Sequence, residues 1–439
     1  MIKYIDLFAG MGGTRIGFEQ ACEQLGLKAK CVFTSEIKSY AVELYKHNFP
    51  NEQVFGDITE INENDLPDFE FLLGGFPCQA FSSAGKRHGF NDTRGTLFFD
   101  IARILKHKKP KGFLLENVEG LVTHDRKNTK DKTGNTLDTI IDVLNEIGYK
   151  VSWKVLNSSD FGIPQKRKRI YITGTLIDQP DLNDFLPIKS KLYSVLEQGI
   201  ECNNTDFTNK LLELYTPEFL AGKAIKDKRG GINNIHSWDL ELKGPLNKLQ
   251  KKLMSQLLKE RRRKVWAEEI GIEWMDGMPL TLEQISTFFN IIDLNELQNL
   301  LTDLTEKNYI KFEHPKALVT NEQGIKVRVS DVNKPKGYNI VTGKLSFEFN
   351  KILDPNDEVN TIVATETSKL GVLDQGGIRT LTDRECLRLF GFPEWYKVNI
   401  SQKDLYDLIG NTVVVPVIRS VAYRTLKAAN YQVSPNSAA

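Results

Sequence analysis

Across residues 1–176, short apolar runs recur at intervals long enough to hold a helix between them: IKYIDLFA, CVFTSE, FEFLLGG, GFLLENV and KRIYITGTL. Strands spaced by helical stretches fold into a mostly parallel sheet with helices on both faces, so the expected fold class is α/β. A ligand of such a sheet sits beyond the carboxyl ends of the strands, where the connecting loops open. After residue 176 the rhythm stops. Residues 177–404 mix loops, a charged helical stretch and short strands such as KGYNIVTGKLSFEF, and are expected to form a second, smaller domain with a helical insert at about residues 247–315. Within it, LTLEQISTFFNIIDLNELQNLLTDLTEKNYIKFE reads as helix, turn, helix and short strand. That pattern suits a helix-turn-helix-like unit and, equally, a small helical subdomain that only supports the loops around it. Residues 405–432 restore an apolar helical face and are expected to complete the first domain.

With 439 residues, 40% of them hydrophobic and 26% charged, the chain can bury cores for more than one folding unit. The net charge of +1 says nothing about partners, because basic residues can be gathered on one face and balanced elsewhere. Charge is therefore read locally. The five cysteines, Cys22, Cys31, Cys78, Cys202 and Cys386, are scattered without a CxxC spacing. Neither a disulfide framework nor a metal site is expected, and all but Cys78 read as buried thiols. No apolar run reaches the roughly 18 residues that span a bilayer. The N-terminus, MIKYIDLFAG, lacks the features of a signal peptide, so a cytoplasmic location with no membrane partner is expected.

The first strand runs into Gly10, Gly12 and Gly13. Those glycines permit a tight turn and close backbone approach to a ligand. Taken alone, the turn fits a nucleotide cofactor or only a strand-to-helix corner. Glu36 and Asp57 follow where the next two strands should end, one placed for ribose hydroxyls and the other for an adenine amine. Each acid alone is more often a surface or capping residue, but the three features together fit an adenosine-bearing ligand.

The fourth strand delivers Gly74-Gly75-Phe76-Pro77-Cys78, a thiol on a stiff, glycine-flanked loop at the same edge of the sheet. A free thiol has a pKa of about 8.5, so nearby cations or a helix start would help to form its thiolate. The fifth strand ends in Glu116-Asn117, and Arg167 and Arg169, two residues apart at the start of another strand, point to one face. Thiol, carboxyl and paired guanidinium groups would then converge on one pocket, although the arginines also read as a solvated basic turn.

In order along the chain, DLFAGMGG, GGFPCQAFS, LLENVEG, QKRKRIY, RTLTDRECLRLFGFP and GNTVVVPV resemble the motif set of the DNA cytosine-5 methyltransferases, and of the bacterial modification enzymes in particular. The resemblance covers residues 2–176 and 361–429 and leaves the segment between them unmatched. It implies a Rossmann-like S-adenosylmethionine-dependent methyltransferase fold with a smaller target-recognition domain. It implies that Cys78 attacks carbon 6 of a flipped cytosine, that Glu116 holds and protonates ring nitrogen 3, that Arg167 orients Glu116 and binds the carbonyl oxygen of the base, and that Arg169 supports the same network or the phosphates. Phe8, Gly10, Gly12, Glu36, Asp57, Ile58, Leu97, Asn411 and Thr412 map onto cofactor contacts.

Residues 82–96 then read as a lid whose Ser82, Lys86, Arg87 and Arg94 close over phosphate and base. Arg229 and Thr361 are loop candidates for DNA contacts, and the run KLQKKLMSQLLKERRRK is as compatible with phosphate binding as with a solvated helix face. The resemblance implies action on double-stranded DNA and functional pairing with a restriction endonuclease, and because one chain carries every part a monomer is expected. Two alternatives are a transfer-RNA cytosine-5 methyltransferase and a noncatalytic DNA-binding relative. The first would carry a shorter target domain with a Cys-Phe-Thr element that is not found here. The second would be expected to lose Cys78 or Glu116, both of which are present.

Overall fold

The computed structural model describes residues 1–77, 97–128, 130–228, 233–290, 293–322, 325–342 and 347–431. Seven strands form the main sheet: β1 (Ile2–Leu7), β2 (Ala29–Ser35), β3 (Val54–Phe55), β4 (Phe71–Gly74), β5 (Gly112–Val118), β6 (Lys150–Asn157) and β7 (Lys168–Thr175). Their spatial order is β3-β2-β1-β4-β5-β7-β6. The first five run parallel, and β7 pairs antiparallel with both β5 and β6. The inner strands read as continuous apolar runs because helices cover both faces. β3, only two residues long, lies where the strand ahead of Asp57 is expected, whereas β6, KVSWKVLN, escapes the sequence reading because it interleaves lysines at the open edge of the sheet.

From β1 the order moves one way to β2 and the other way to β4, so the sheet changes direction between β1 and β4 and leaves a crevice at their carboxyl ends. Helices α1 (Gly13–Gln24), α2 (Ser39–Asn48), α3 (Leu97–Lys108) and α4 (Asn135–Ile147) connect these strands. Near the C-terminus, the described chain adds α9 (Gln402–Asn411) and α10 (Val415–Ala428) to the same body. The stretch Gln402–Ala428 is apolar enough in composition to pass for a membrane span, contrary to the expectation of no such run. It is nevertheless two helices with a break after Asn411, and 67% of its most apolar window is buried, as in a core helix.

The chain divides into two compact units. The first comprises Met1–Ile200, Pro355–Ser368 and Leu381–Ala439, and the second Glu201–Asp354 and Lys369–Thr380. The boundaries expected at residues 176 and 404 therefore move. Residues 177–200 and 381–404 stay with the first unit because Leu192 and Val195 are buried and the Glu385 carboxylate accepts the backbone N–H of Glu197 at 2.8 Å. Thr382 and Glu385 form the reciprocal capping box that their spacing predicts. Cys22, Cys31 and Cys386 are buried, but Cys202 is only half-buried, its thiol donating to the Asp374 carbonyl.

The second unit has a five-stranded sheet, including Lys351–Leu353, Leu370–Asp374 and Gly377–Thr380, and a separate helical core around Trp238, Leu253, Leu257, Leu297 and Leu301. That core contains α5 (Lys248–Glu260), α6 (Val265–Ile270), α7 (Leu282–Ser286) and α8 (Leu294–Glu306). It continues into β8 (Ile310–Glu313), the hairpin β9 (Lys316–Thr320) and β10 (Lys326–Ser330), and β11 (Gly337–Ile340). β11 pairs antiparallel with β8 and meets Leu280, two residues ahead of α7, through Tyr338. Two helices, the bridge at Leu280, two further helices, and two strands flanking a hairpin make an arrangement like that of a winged helix. The insert expected to stop at residue 315 thus runs to about 341, because β11 supplies the strand on which its small sheet depends.

Candidate active site

The crevice holds a cavity of about 520 Å³ built entirely from the first unit. Phe8 follows β1 with a φ of 56°, a backbone conformation that costs a side-chain-bearing residue free energy and is found preferentially at functional sites. The turn continues through Gly10 at φ 51° and Gly12 at φ 76°, and the Gly10 N–H donates to Glu36 Oε2 at 2.8 Å. Glu36 Oε1 accepts the N–H groups of Ile37 and Lys38, so the carboxylate at the end of β2 is fixed by three backbone donors. One oxygen of Asp57 accepts from the Thr59 N–H.

Of the expected cofactor residues, Phe8, Gly10, Glu36, Asp57, Ile58, Leu97, Asn411 and Thr412 line this cavity. Gly12 does not. A Cβ there would lie 2.7 Å from the Phe49 ring, so this glycine serves the packing of α1 against α2 and its loop. Ile37, Thr14, Phe76, Pro77 and Val413 line the cavity without having been singled out. Ile37 had a readable signal: a large apolar residue directly after a strand-ending acid, left 71% exposed by the fold.

Glu116, 8% exposed, faces the same cavity from the end of β5. Burial raises its pKa above the usual carboxylate range, and the nearby Arg169 and Arg167 charges oppose that shift. The Arg169 Nε lies 3.3 Å from Glu116 Oε1. Arg167, 2% exposed, also lines the cavity, and it donates to the carbonyls of Ile362, Gly410 and Thr412 at 3.2, 3.1 and 2.8 Å. Burial, then the charge of Arg169, brings its pKa down to about 10. Arg169 thus supports the Glu116 network as expected, while Arg167, expected to orient Glu116, acts on it through charge and spends its hydrogen bonds on backbone carbonyls. Arg169 pairs with Glu116, while Arg167 ties the strand entrance to Ile362 and to the C-terminal end of α9.

Asn117 donates from Nδ2 to the Phe76 carbonyl and accepts the Val118 N–H, holding Gly75-Phe76-Pro77 at the end of β4. Cys78 and the lid candidates Ser82, Lys86, Arg87 and Arg94 lie outside the described residues, as does Arg229. Thr361, expected to contact DNA from the second domain, belongs to the first unit. Its hydroxyl donates to the Lys166 carbonyl at 2.7 Å, beside the parallel pairing of Val359–Asn360 with Gln165–Lys166.

The sheet order, with an antiparallel strand inserted between β5 and β6, and a strand-end cavity lined by carboxylates define the class: a Rossmann-like methyltransferase. Residues 2–427 match the model of the C-5 cytosine-specific DNA methylases, and the chain belongs to that family. It is a DNA cytosine-5 methyltransferase. Among its relatives are the Type II methyltransferase M.NlaIV of Neisseria lactamica, 59% identical over 97% of this chain and 99% of that protein, and the Type II methyltransferase M.NgoBV of Neisseria gonorrhoeae, 57% identical over the same shares. The crystal structure of the S. pombe Dnmt2 methyltransferase has the same fold, with a TM-score of 0.52 at 16% identity, covering 97% of this chain and 99% of that one.

Proposed function

We propose that the cavity is the S-adenosylmethionine site and that the chain methylates carbon 5 of a cytosine flipped out of double-stranded DNA. The observation that carries this is the convergence of Glu36, Asp57, Glu116 and Asn411 on one cavity reached by the loop that leads into Cys78. The residues fit the cofactor. The volume, about 520 Å³, lies within the range of small-molecule sites. Glu36 retains acceptor capacity for ribose hydroxyls, Asp57 has a second oxygen free for an exocyclic amine, and Ile37, Ile58 and Phe8 offer apolar surface to a purine.

When bound, S-adenosylmethionine supplies an electrophilic methyl group to carbon 5 and leaves as the thioether. This chain's residues make that carbon nucleophilic. The Cys78 thiolate adds to carbon 6 and pushes electron density onto carbon 5, a step that aromatic cytosine does not undergo unaided. Glu116, kept protonated more readily by its burial, donates to ring nitrogen 3 as charge develops there. Arg169 fixes the Glu116 carboxyl and meets the carbonyl oxygen of the base. Arg167 holds Gly410 and Thr412 against the cofactor side of the cavity. Loss of the carbon 5 proton to a base then expels the thiolate and restores the ring. Extruding the nucleotide costs a few kcal/mol of stacking and pairing.

On this reading the enzyme is a cytoplasmic monomer that protects DNA alongside a cognate restriction endonuclease. Incubation with tritiated S-adenosylmethionine and either unmethylated genomic DNA or total transfer RNA, with Cys78→Ser in parallel and bisulfite mapping of product, tests it. The expected result is 5-methylcytosine at one short DNA motif, absent with Cys78→Ser. Label confined to transfer RNA, or transfer to DNA that survives Cys78→Ser, would overturn the reading.

A further inference from the structure

The winged-helix module of the second unit distributes its charge against the usual use of such a fold. In DNA-bound helix-turn-helix units the second helix lies in the major groove, flanked by phosphates. Here residues 281–306, which hold α7 and α8, contain Glu283, Asp293, Glu296, Asp303 and Glu306 and no lysine or arginine. An α8 laid in the groove would meet phosphate repulsion along its length. Positive charge gathers instead in α5 and the turn after it, and in the hairpin and its flanks.

The hairpin register shows how. Lys316 faces Ser330, Leu318 faces Arg328 and Thr320 faces Lys326, and directly opposed residues share a face, so Lys316, Lys326 and Arg328 form one basic side of the wing. The other side carries Ala317, Val319, Val327 and Val329. The basic side joins the turn after α5 through Trp274. Arg328 donates to the Trp274 carbonyl at 3.2 Å, and the Trp274 indole donates to the Arg262 carbonyl at 3.1 Å. The Lys334 ammonium approaches Gly271 on the same segment. Lys264, Lys326 and Arg328 are exposed, and among the described residues they and Lys334 form no ion pair. Trp274 is 37% exposed in their midst.

We infer that the module is a distinct DNA-backbone clamp: the wing and the turn after α5 grip phosphates of duplex DNA, and the acidic α8 stays out of the groove. The inference rests on the reading of the chain as a DNA methyltransferase and adds a binding surface lying wholly within the second unit. Such a surface contributes sequence-independent, salt-dependent affinity through release of counterions.

The test uses the full chain and a 40-base-pair random-sequence duplex, with Kd measured against potassium chloride concentration. Each phosphate that a lysine neutralises adds roughly 0.9 to the slope of log Kd against log salt. Changing Lys264, Lys326 and Lys334 together to Gln should therefore flatten that slope by about 2.7 and weaken low-salt binding by roughly ten-fold or more. The triple Lys→Arg variant should keep the wild-type slope, which separates loss of charge from loss of fold. Asn299→Ala on the exposed side of α8 should leave binding unchanged. An unaltered slope in the Gln variant, or a collapse of binding with Asn299→Ala, would overturn the inference. Methyl transfer by the wild-type protein to genomic DNA, measured alongside, distinguishes that failure from failure of the methyltransferase reading, which would appear as no transfer by any variant.

Discussion

Arg167 and Arg169 stand two residues apart on one strand entrance, yet the structure predicts opposite consequences for losing them. Arg167→Ala removes a buried guanidinium that donates to three main-chain carbonyls, those of Ile362, Gly410 and Thr412. A buried acceptor left without its donor costs about 1–3 kcal/mol, and water entering the vacated space recovers part of that. A net loss of about 3–5 kcal/mol follows, in the range found when one member of a buried charged network is deleted. At roughly 2–4 °C per kcal/mol for a unit of this size, Tm should fall by about 6–20 °C. The Kd for S-adenosylmethionine should rise as well, because two of the three carbonyls belong to the cavity wall.

Arg169→Ala leaves those carbonyls satisfied. It removes the larger of the two attractions that oppose the upward shift at Glu116, so the carboxyl holds its proton still more readily and no unpaired buried anion is left, but it loses the group that fixes its position. Stability should change by only about 1 kcal/mol, within the ordinary range for single substitutions. Single-turnover methyl transfer should fall by about 10²–10⁴-fold, the usual share of a positioned proton donor. Differential scanning calorimetry and a rapid-quench assay with tritiated cofactor measure both quantities. An Arg167→Ala protein melting within about 2 °C of wild type, or an Arg169→Ala protein melting as low as Arg167→Ala, would refute the assignment.

Three further outcomes are expected. Because burial raises the Glu116 pKa and the protonated carboxyl is the donor, the single-turnover rate should fall as pH rises through that raised value, and Glu116→Gln, which keeps an N–H donor but cannot titrate, should lose that alkaline limb. Asp6 is fully buried with neither carboxylate oxygen hydrogen-bonded among the described residues, and burial raises its pKa well above 3.8. Its proton is bound more tightly in the folded state, so this contribution to stability is present below the unfolded pKa and is lost as pH rises through the folded one. Asp6→Asn should flatten that part of the stability–pH curve measured by urea unfolding. A Cβ at Gly17 would lie 2.7 Å from Ile418 Cβ and 2.9 Å from the Val415 carbonyl, where α1 meets α10. Gly17→Ala should therefore lower stability by about 1–3 kcal/mol despite its better helix propensity, and an unchanged or raised Tm would contradict the packing.

The strand-end acids and the glycine turn were legible because each is locked to its own strand. Alternation defines where β1, β2 and β5 end, and the residues just after an end must sit at the mouth of the sheet. Glu36, Asp57 and Glu116 needed no long-range information to be placed near one another. What tertiary structure alone decided is of another kind. Arg167 and Arg169 have the same chemistry and the same strand parity, and only the arrival of Gly410 and Thr412, more than 240 residues later, gives Arg167 carbonyls to bind and leaves Glu116 to Arg169. Gly12 looked like a cofactor glycine until the Phe49 ring packed over it. Thr361 joined the first unit through a two-residue pairing with Gln165–Lys166 that no local pattern announces. The wing emerged only when β11 paired with β8 across an intervening hairpin. Periodicity records what a segment does with its immediate neighbours; which distant segment fills its remaining hydrogen bonds and volume is settled by packing.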